Sequence, residues 1–185
     1  MENELINDKN VRLRESIVVT KEGLKVAYEI DNQSNEDIYV FDLMFRLAQG
    51  PVLDSSLVYT VVEDDLLTLF LGVLRIPEGL QVEIPDVPFA RRLPAKETMK
   101  SVFKAPIPLP FRQPYEWNDR EEMRFTSKIR LRIGYIFEKD LNPRPVMRKI
   151  GGVELFSVGY RQTIDVQRFL ESQTSEVKMR VLVKP

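Results

Sequence analysis

Side chains able to do chemistry gather in a few places along the 185 residues. Acids cluster at Glu36, Asp37 and Asp42, and again at Glu63, Asp64 and Asp65. A glycosidase needs two carboxyls facing each other across a cleft, about 5–10 Å apart. Consecutive acids at a hairpin tip point in different directions and lack the burial that tunes a catalytic acid. The turn "DNQSNED" (31–37) offers hard oxygens of the kind Ca2+ takes. Yet Glu36 stands where an EF-hand loop needs glycine, and Asp42 where it needs a bidentate glutamate. Turn formation by side-chain to backbone hydrogen bonds accounts for this composition without a metal. No cofactor and no metal is expected, and adding calcium should leave the melting temperature unchanged.

The chain contains neither histidine nor cysteine. Ser-His-Asp triads, Cys-His dyads, thiolate chemistry and zinc sites built on imidazole or thiolate are therefore excluded. The side chain that most readily moves a proton near neutral pH is also missing. An enzyme here would have to work with carboxylates, Lys, Tyr, Ser or a hard cation. "SVFK" (101–104) matches the S-x-x-K of serine acyl enzymes. Residues 99–111 alternate as a strand, which sends Ser101 and Lys104 to opposite faces.

Three groups suit binding rather than catalysis. Lys128, Arg130 and Arg132 fall at alternate positions, so on a strand they share one face at about 6.6 Å spacing. Acids on neighbouring strands, Asp42 and Asp165 among them, are expected to neutralise part of that row. Arg91–Arg92 and the stretch "NPRPVMRK" (142–149), with Arg144 and Arg148, read as exposed basic segments, the second in a loop where recognition residues tend to sit. Tyr115 and Trp117 in "PYEWND" form either a stacking platform for sugar or a plug that closes one end of the fold.

The elements that must carry these groups are strands. Val11, Leu13, Ile17 and Val19 alternate with polar residues, as do Leu24, Val26, Tyr28 and Ile30. Ile129, Leu131, Ile133, Tyr135 and Phe137 repeat the pattern, and Val177, Met179, Val181 and Val183 repeat it again. Period 2 marks half-buried strands of an antiparallel sheet. "KEG" (21–23) and "DNQSNED" are connections, and "VYTVVEDDLLTLF" reads as a hairpin turning at Glu63–Asp65. Only "DVQRFLESQ" (165–173) has helical spacing. Seven to nine strands are expected, in an all-β, antiparallel two-sheet sandwich with Greek-key links.

"LKVAYEIDNQSNEDIYVF" resembles the B strand, B–C turn and C strand of an immunoglobulin-like or fibronectin-like sandwich. "LPAKETMKSVFKAPIPL" resembles the turn and strand E, and "KIRLRIGYIF" resembles strand F. The likeness is to a widely shared fold and implies no function. The Cys…Trp…Cys spacing of true immunoglobulin domains is absent. The length exceeds the roughly 100 residues of that fold, with the surplus in 46–96 and 138–159 as inserted loops or extra strands. Prolines 106, 108 and 110 in "KAPIPLPFRQPY" strip the N–H groups from one side of an extended chain, which suits a guarded edge strand or the exit of one from its sheet.

One domain spanning 1–185 is the expectation from length. Residues 1–90 carry 7 Lys/Arg against 17 Asp/Glu, a net of −10, whereas 91–185 carry 20 against 11, a net of +9. Strands from the two halves lying side by side would cancel these charges, which disfavours nucleic acid as a partner. No apolar run reaches the roughly 18 residues of a membrane span. The polar start "MENELINDKN" lacks the basic and apolar regions of a secretory signal, and with the lack of cysteine it points to the cytoplasm. The functional expectation is a non-enzymatic interaction module that takes a protein partner or self-associates through an edge strand. The alternative is a carbohydrate- or small-ligand-binding sandwich using Tyr115 and Trp117, and a carboxylate- or metal-dependent hydrolase comes last.

Overall fold

The computed structural model describes residues 9–116 and 120–184, which leaves Trp117 outside the described residues. Strands β1 (Val11–Val19) and β2 (Leu24–Asn32) form an antiparallel hairpin in which Val11 faces Asn32 and Val19 faces Leu24. Its turn is closed by the Thr20 N–H donating to the Gly23 carbonyl at 2.9 Å. Gly23 has φ +146°, and a Cβ there would meet the Ala105 carbonyl oxygen at 2.6 Å, so only glycine fits. β9 (Thr98–Ala105) lies on the other side of β2, and the three strands make a small sheet in the order β1-β2-β9.

A nine-stranded sheet is built around β10 (Glu122–Phe137), sixteen residues long. β14 (Ser175–Val183) pairs with its first half and β13 (Arg168–Glu171) with its second. The opposite edge takes β7 (Leu66–Leu71) along residues 128–133, then β3 (Ile38–Leu43) at residues 135–137. Beyond β7 lies β6 (Tyr59–Glu63), joined to it by the expected hairpin at Asp64–Asp65. Beyond β3 the sheet continues through β8 (Phe89–Leu93) and β12 (Val153–Ser157) to β11 (Val146–Ile150). A separate hairpin joins β4 (Phe45–Leu47) and β5 (Pro51–Leu53).

The fold is all-β with more than one sheet, and it departs from expectation in several details. The described residues form fourteen strand segments rather than seven to nine, the extra ones in the two surplus regions. β7 runs parallel to β10, so the large sheet is not antiparallel throughout. The chain between them passes through β8 and β9, the long crossover that a parallel pair requires. The helix expected at 165–173 is not there. A single helical turn, α1 (Tyr160–Thr163), comes earlier, and 168–171 is strand β13 because Leu170 is drawn into the core between sheets.

Alternation fixes which faces are buried. Val26 and Ile30 of the small sheet share one core with Ile38, Leu69, Leu131 and Val181 of the large one. Tyr39, Phe41, Ala90 and Ile136, from the reverse face of the large sheet, form a second cluster with Leu141 and Val158. β3 is thus covered on both sides, which explains the unbroken apolar run "IYVF".

β9 is an edge strand of the small sheet and stops at Ala105 before the first proline, so the prolines mark its exit from that sheet rather than its paired edge. The chain then crosses from the small sheet to the large one. The Leu109 N–H donates to the Arg180 carbonyl at 3.0 Å, and the Leu109 carbonyl accepts the Leu182 N–H at 2.9 Å. The prolines occupy positions whose N–H this crossing does not need. A little further on, Thr60 and Arg112 exchange hydrogen bonds of 3.0 and 2.9 Å across the outer side of β6. No described helix is long and apolar enough to cross a membrane.

Candidate functional site

The basic row lies on β10 as expected, and its charge is largely engaged. Arg130 Nε donates to Thr68 Oγ1 at 2.9 Å, and its guanidinium is 3.7 Å from Glu171 Oε2. Arg132 Nε stands 3.2 Å from Glu171 Oε1, with its guanidinium 4.0 Å above the Phe169 ring. Burial is the main influence pulling the Arg132 pKa below its ordinary range, and Glu171 opposes it. Only Lys128 is exposed. The acids expected beside the row are elsewhere: Asp165 pairs with Arg75 at 3.4 Å, and Asp42 is inside the protein. Glu171 does the work instead, because the strand at 168–171 brings it opposite Arg132.

The stretch 142–149 is a loop only in its first half: residues 142–145, Arg144 among them, are irregular, and Val146 begins a strand. Gly151 and Gly152, with φ of +56° and +82°, form a two-residue turn that folds Val146–Ile150 back on Val153–Ser157. Arg144 and Arg148 are exposed and make no ion pair among the described residues. β11 is the terminal strand of the large sheet and is bare on both faces, with Val146 57% and Met147 59% exposed. β5 lies beside it and brings the exposed Val52 to the same region. A two-residue turn closes on a hydrogen-bonded pair, here Ile150 and Val153, so bonding alternates back along the ladder. Met147 and Lys149 therefore direct N–H and carbonyl groups to the open edge.

Tyr115 is half-buried, and its Oη accepts the Asp86 N–H at 3.2 Å. Burial is the main reason its phenol pKa stands above the ordinary value. The ring backs onto a hollow of about 460 Å3 beside Val82 and Ile84, so it holds the long 77–88 connection against Pro114. Trp117, expected to act with it, lies outside the described residues.

The acids of the turn 31–37 stitch the chain together. Asn32 Oδ1 accepts the Ser34 N–H at 3.2 Å and hydroxyl at 2.7 Å, while its Nδ2 donates to the carbonyls of Glu36, Leu93 and Pro94. Asp37 accepts the Ala95 N–H at 2.8 Å and pairs with Arg92; Glu36 pairs with Lys139 at 2.7 Å. At the other cluster, Asp65 accepts the Ser127 N–H at 2.7 Å and its hydroxyl, which holds the carboxyl pKa below the ordinary range.

One buried network joins the sheets. Tyr28 Oη donates to Asp42 Oδ2 at 2.7 Å, and Arg91 Nε donates to Asp42 Oδ1 at 2.9 Å, with a second guanidinium contact to Oδ2. The Asp42 side chain is fully buried, and Arg91, expected to be exposed, faces inward to meet it. A bidentate cation and a phenol thus occupy the two oxygens of Asp42. Asp42 is in phase with Ile38 and Val40, so its inward direction was written in the alternation. Its partner 49 residues away was not.

Compared with protein-family models, curated proteins and solved structures, the chain matches none.

Proposed function

We propose that the chain is a non-enzymatic interaction module on an immunoglobulin-like frame, with β11 as its docking edge. The grouping of strands supports the frame. β1, β2 and β9 take the parts of A, B and E, while β3, β10 and β13–β14 take those of C, F and G. The surplus regions add strands to both ends of the large sheet, which leaves β11 as an extra rim.

The observation that carries the docking role is the bare strand itself: unpaired backbone groups at Met147 and Lys149, exposed Val146 and Met147, and cations at Arg144, Arg148 and Lys149. Strand addition supplies affinity through the main chain and specificity through alternate side chains. An antiparallel self-pairing centred on Arg148 would set like charges against each other, which is destabilising. The favoured partner is therefore an extended, acidic segment of another protein, ahead of a second copy.

Lys149→Pro removes one outward N–H and leaves the pairing to β12 intact. A partner captured from native lysate by the wild type is expected to be lost both on Lys149→Pro and on the charge-reversed Arg144→Glu/Arg148→Glu protein. A partner retained by both variants sinks the proposal. Concentration-dependent dimerisation abolished by Lys149→Pro would transfer the edge to a second copy. Tryptophan quenching by a glycan, with no partner captured, would favour the sugar-binding alternative.

A further inference from the structure

Two hollows of about 230 and 460 Å3 adjoin where the 77–88 connection meets the chain at 111–116, and Asp86 and Pro114 line both. Small-molecule sites commonly measure about 300–1,000 Å3. The smaller hollow is polar. Asp86, Arg112 and Lys184 line it half-buried, and Glu121 stands at its exposed rim. None of these four side chains makes an ion pair or hydrogen bond among the described residues; Lys184 only rests 5.5 Å from the Phe111 ring centre. Charges of both signs therefore face one space without pairing to each other. The larger hollow is mainly apolar, walled by Val82, Ile84 and Tyr115.

A second, independent observation marks the polar hollow. Tyr59 is fully buried with its ring against Phe70 in the core, yet its hydroxyl has no hydrogen-bond partner among the described residues. Tyr59 also lines the hollow. Burial first, and then the charge of Asp86, raises its phenol pKa, so Asp86 is the acid beside that hydroxyl. A buried donor left unpaired is costly. Asp86 has two oxygens, one able to take the phenol from below while the other stays open to the hollow.

We infer that the adjoining hollows bind a free amino acid with an apolar side chain. Its ammonium meets Asp86, its carboxylate meets Arg112 and Lys184, and its side chain lies against Val82, Ile84 and Tyr115. A ligand of one charge would leave the opposite sign in the hollow unanswered, whereas a zwitterion answers both. An ammonium on Asp86 fixes the carboxylate, whose second oxygen then accepts the Tyr59 hydroxyl. The site shares no residue with β11 and does not rest on the docking role of that strand.

Calorimetric titration with L-phenylalanine tests the inference, beside L-phenylalaninol, which keeps only the ammonium, and 3-phenylpropanoate, which keeps only the carboxylate. Phenylalanine is expected to bind at least about tenfold more tightly than either, the worth of one charge-assisted hydrogen bond. Arg112→Gln should weaken phenylalanine about tenfold without weakening phenylalaninol. Asp86→Asn should weaken phenylalanine about tenfold without weakening 3-phenylpropanoate. An unaltered circular dichroism spectrum is the control for folding in both variants, and Lys149→Pro should bind phenylalanine like the wild type. Equal affinity for the three compounds, undiminished affinity in either variant, or no phenylalanine binding up to its solubility limit would each overturn it.

Discussion

Taking away Arg91 would leave the Asp42 carboxyl fully buried and facing only the Tyr28 phenol. Breaking a buried pair from one side costs about 3–5 kcal/mol, and the quarter of Arg91 that reaches solvent places Arg91→Met at about 3 kcal/mol. Denaturant unfolding should show that loss, and adding Asp42→Leu should recover most of it; a double variant as unstable as the single counts against the network. Tyr28 makes a second prediction. Burial first, then the charge of Asp42, raises its phenol pKa well above the ordinary value. The folded state prefers the protonated phenol, so this stability is complete below the unfolded value of about 10 and falls as pH rises beyond it. Melting temperatures followed from about pH 9 to 11 should decline less steeply for Tyr28→Phe than for the wild type. Asp42 was expected on the outer face beside the basic row although it is in phase with Ile38 and Val40, and no local pattern names a cation 49 residues distant.

β10 serves two strands on one edge, and the gap between them is closed by a side chain rather than a strand. Gln167 Nε2 donates to the Val73 carbonyl at 3.0 Å, and its Oε1 accepts the Val73 N–H at 2.8 Å. It lies directly over Gly134, where a Cβ would come within 2.3 Å of Oε1. Gly134→Ala should displace the amide and cost about 1–3 kcal/mol through crowding and two lost hydrogen bonds. Combined with Gln167→Ala, it should add little, since both changes remove the same contact. The long strands were readable because one face of each meets a core and the other meets water. β11 was hidden because neither face is buried, so "VMRKI" carries no alternation. In 165–173, Val166, Phe169 and Leu170 fit helical spacing, yet pairing with β10 overrode that local preference.

Over the whole molecule, the opposed charges of the two halves meet across strands. Arg91–Asp42, Arg92–Asp37, Lys100–Glu29 and Lys139–Glu36 each join a base from the second half to an acid from the first. The last three are partly exposed, so each is worth little and is screened by salt. Molar sodium chloride should therefore lower the melting temperature by only about 2–4 °C, the shift that about 1 kcal/mol produces at this size. Calorimetry should show one cooperative transition, since the main core joins residues from Val11 to Val183 and the second cluster packs on the reverse face of the same sheet. The central position of β10 has a further consequence in time. A ribosome delivers β3 and β7 well before residue 137, and although β8 and β6 can pair with them on one side, neither can fill its other side until β10 emerges. At about 5–20 residues per second, the 66 residues separating Leu71 from Phe137 impose a wait of about 3–13 s. Throughout that interval the nascent chain displays apolar strands without their template. Vectorial synthesis thus makes this fold a natural client for a ribosome-associated chaperone, and chains released before residue 122 should be degraded or aggregate.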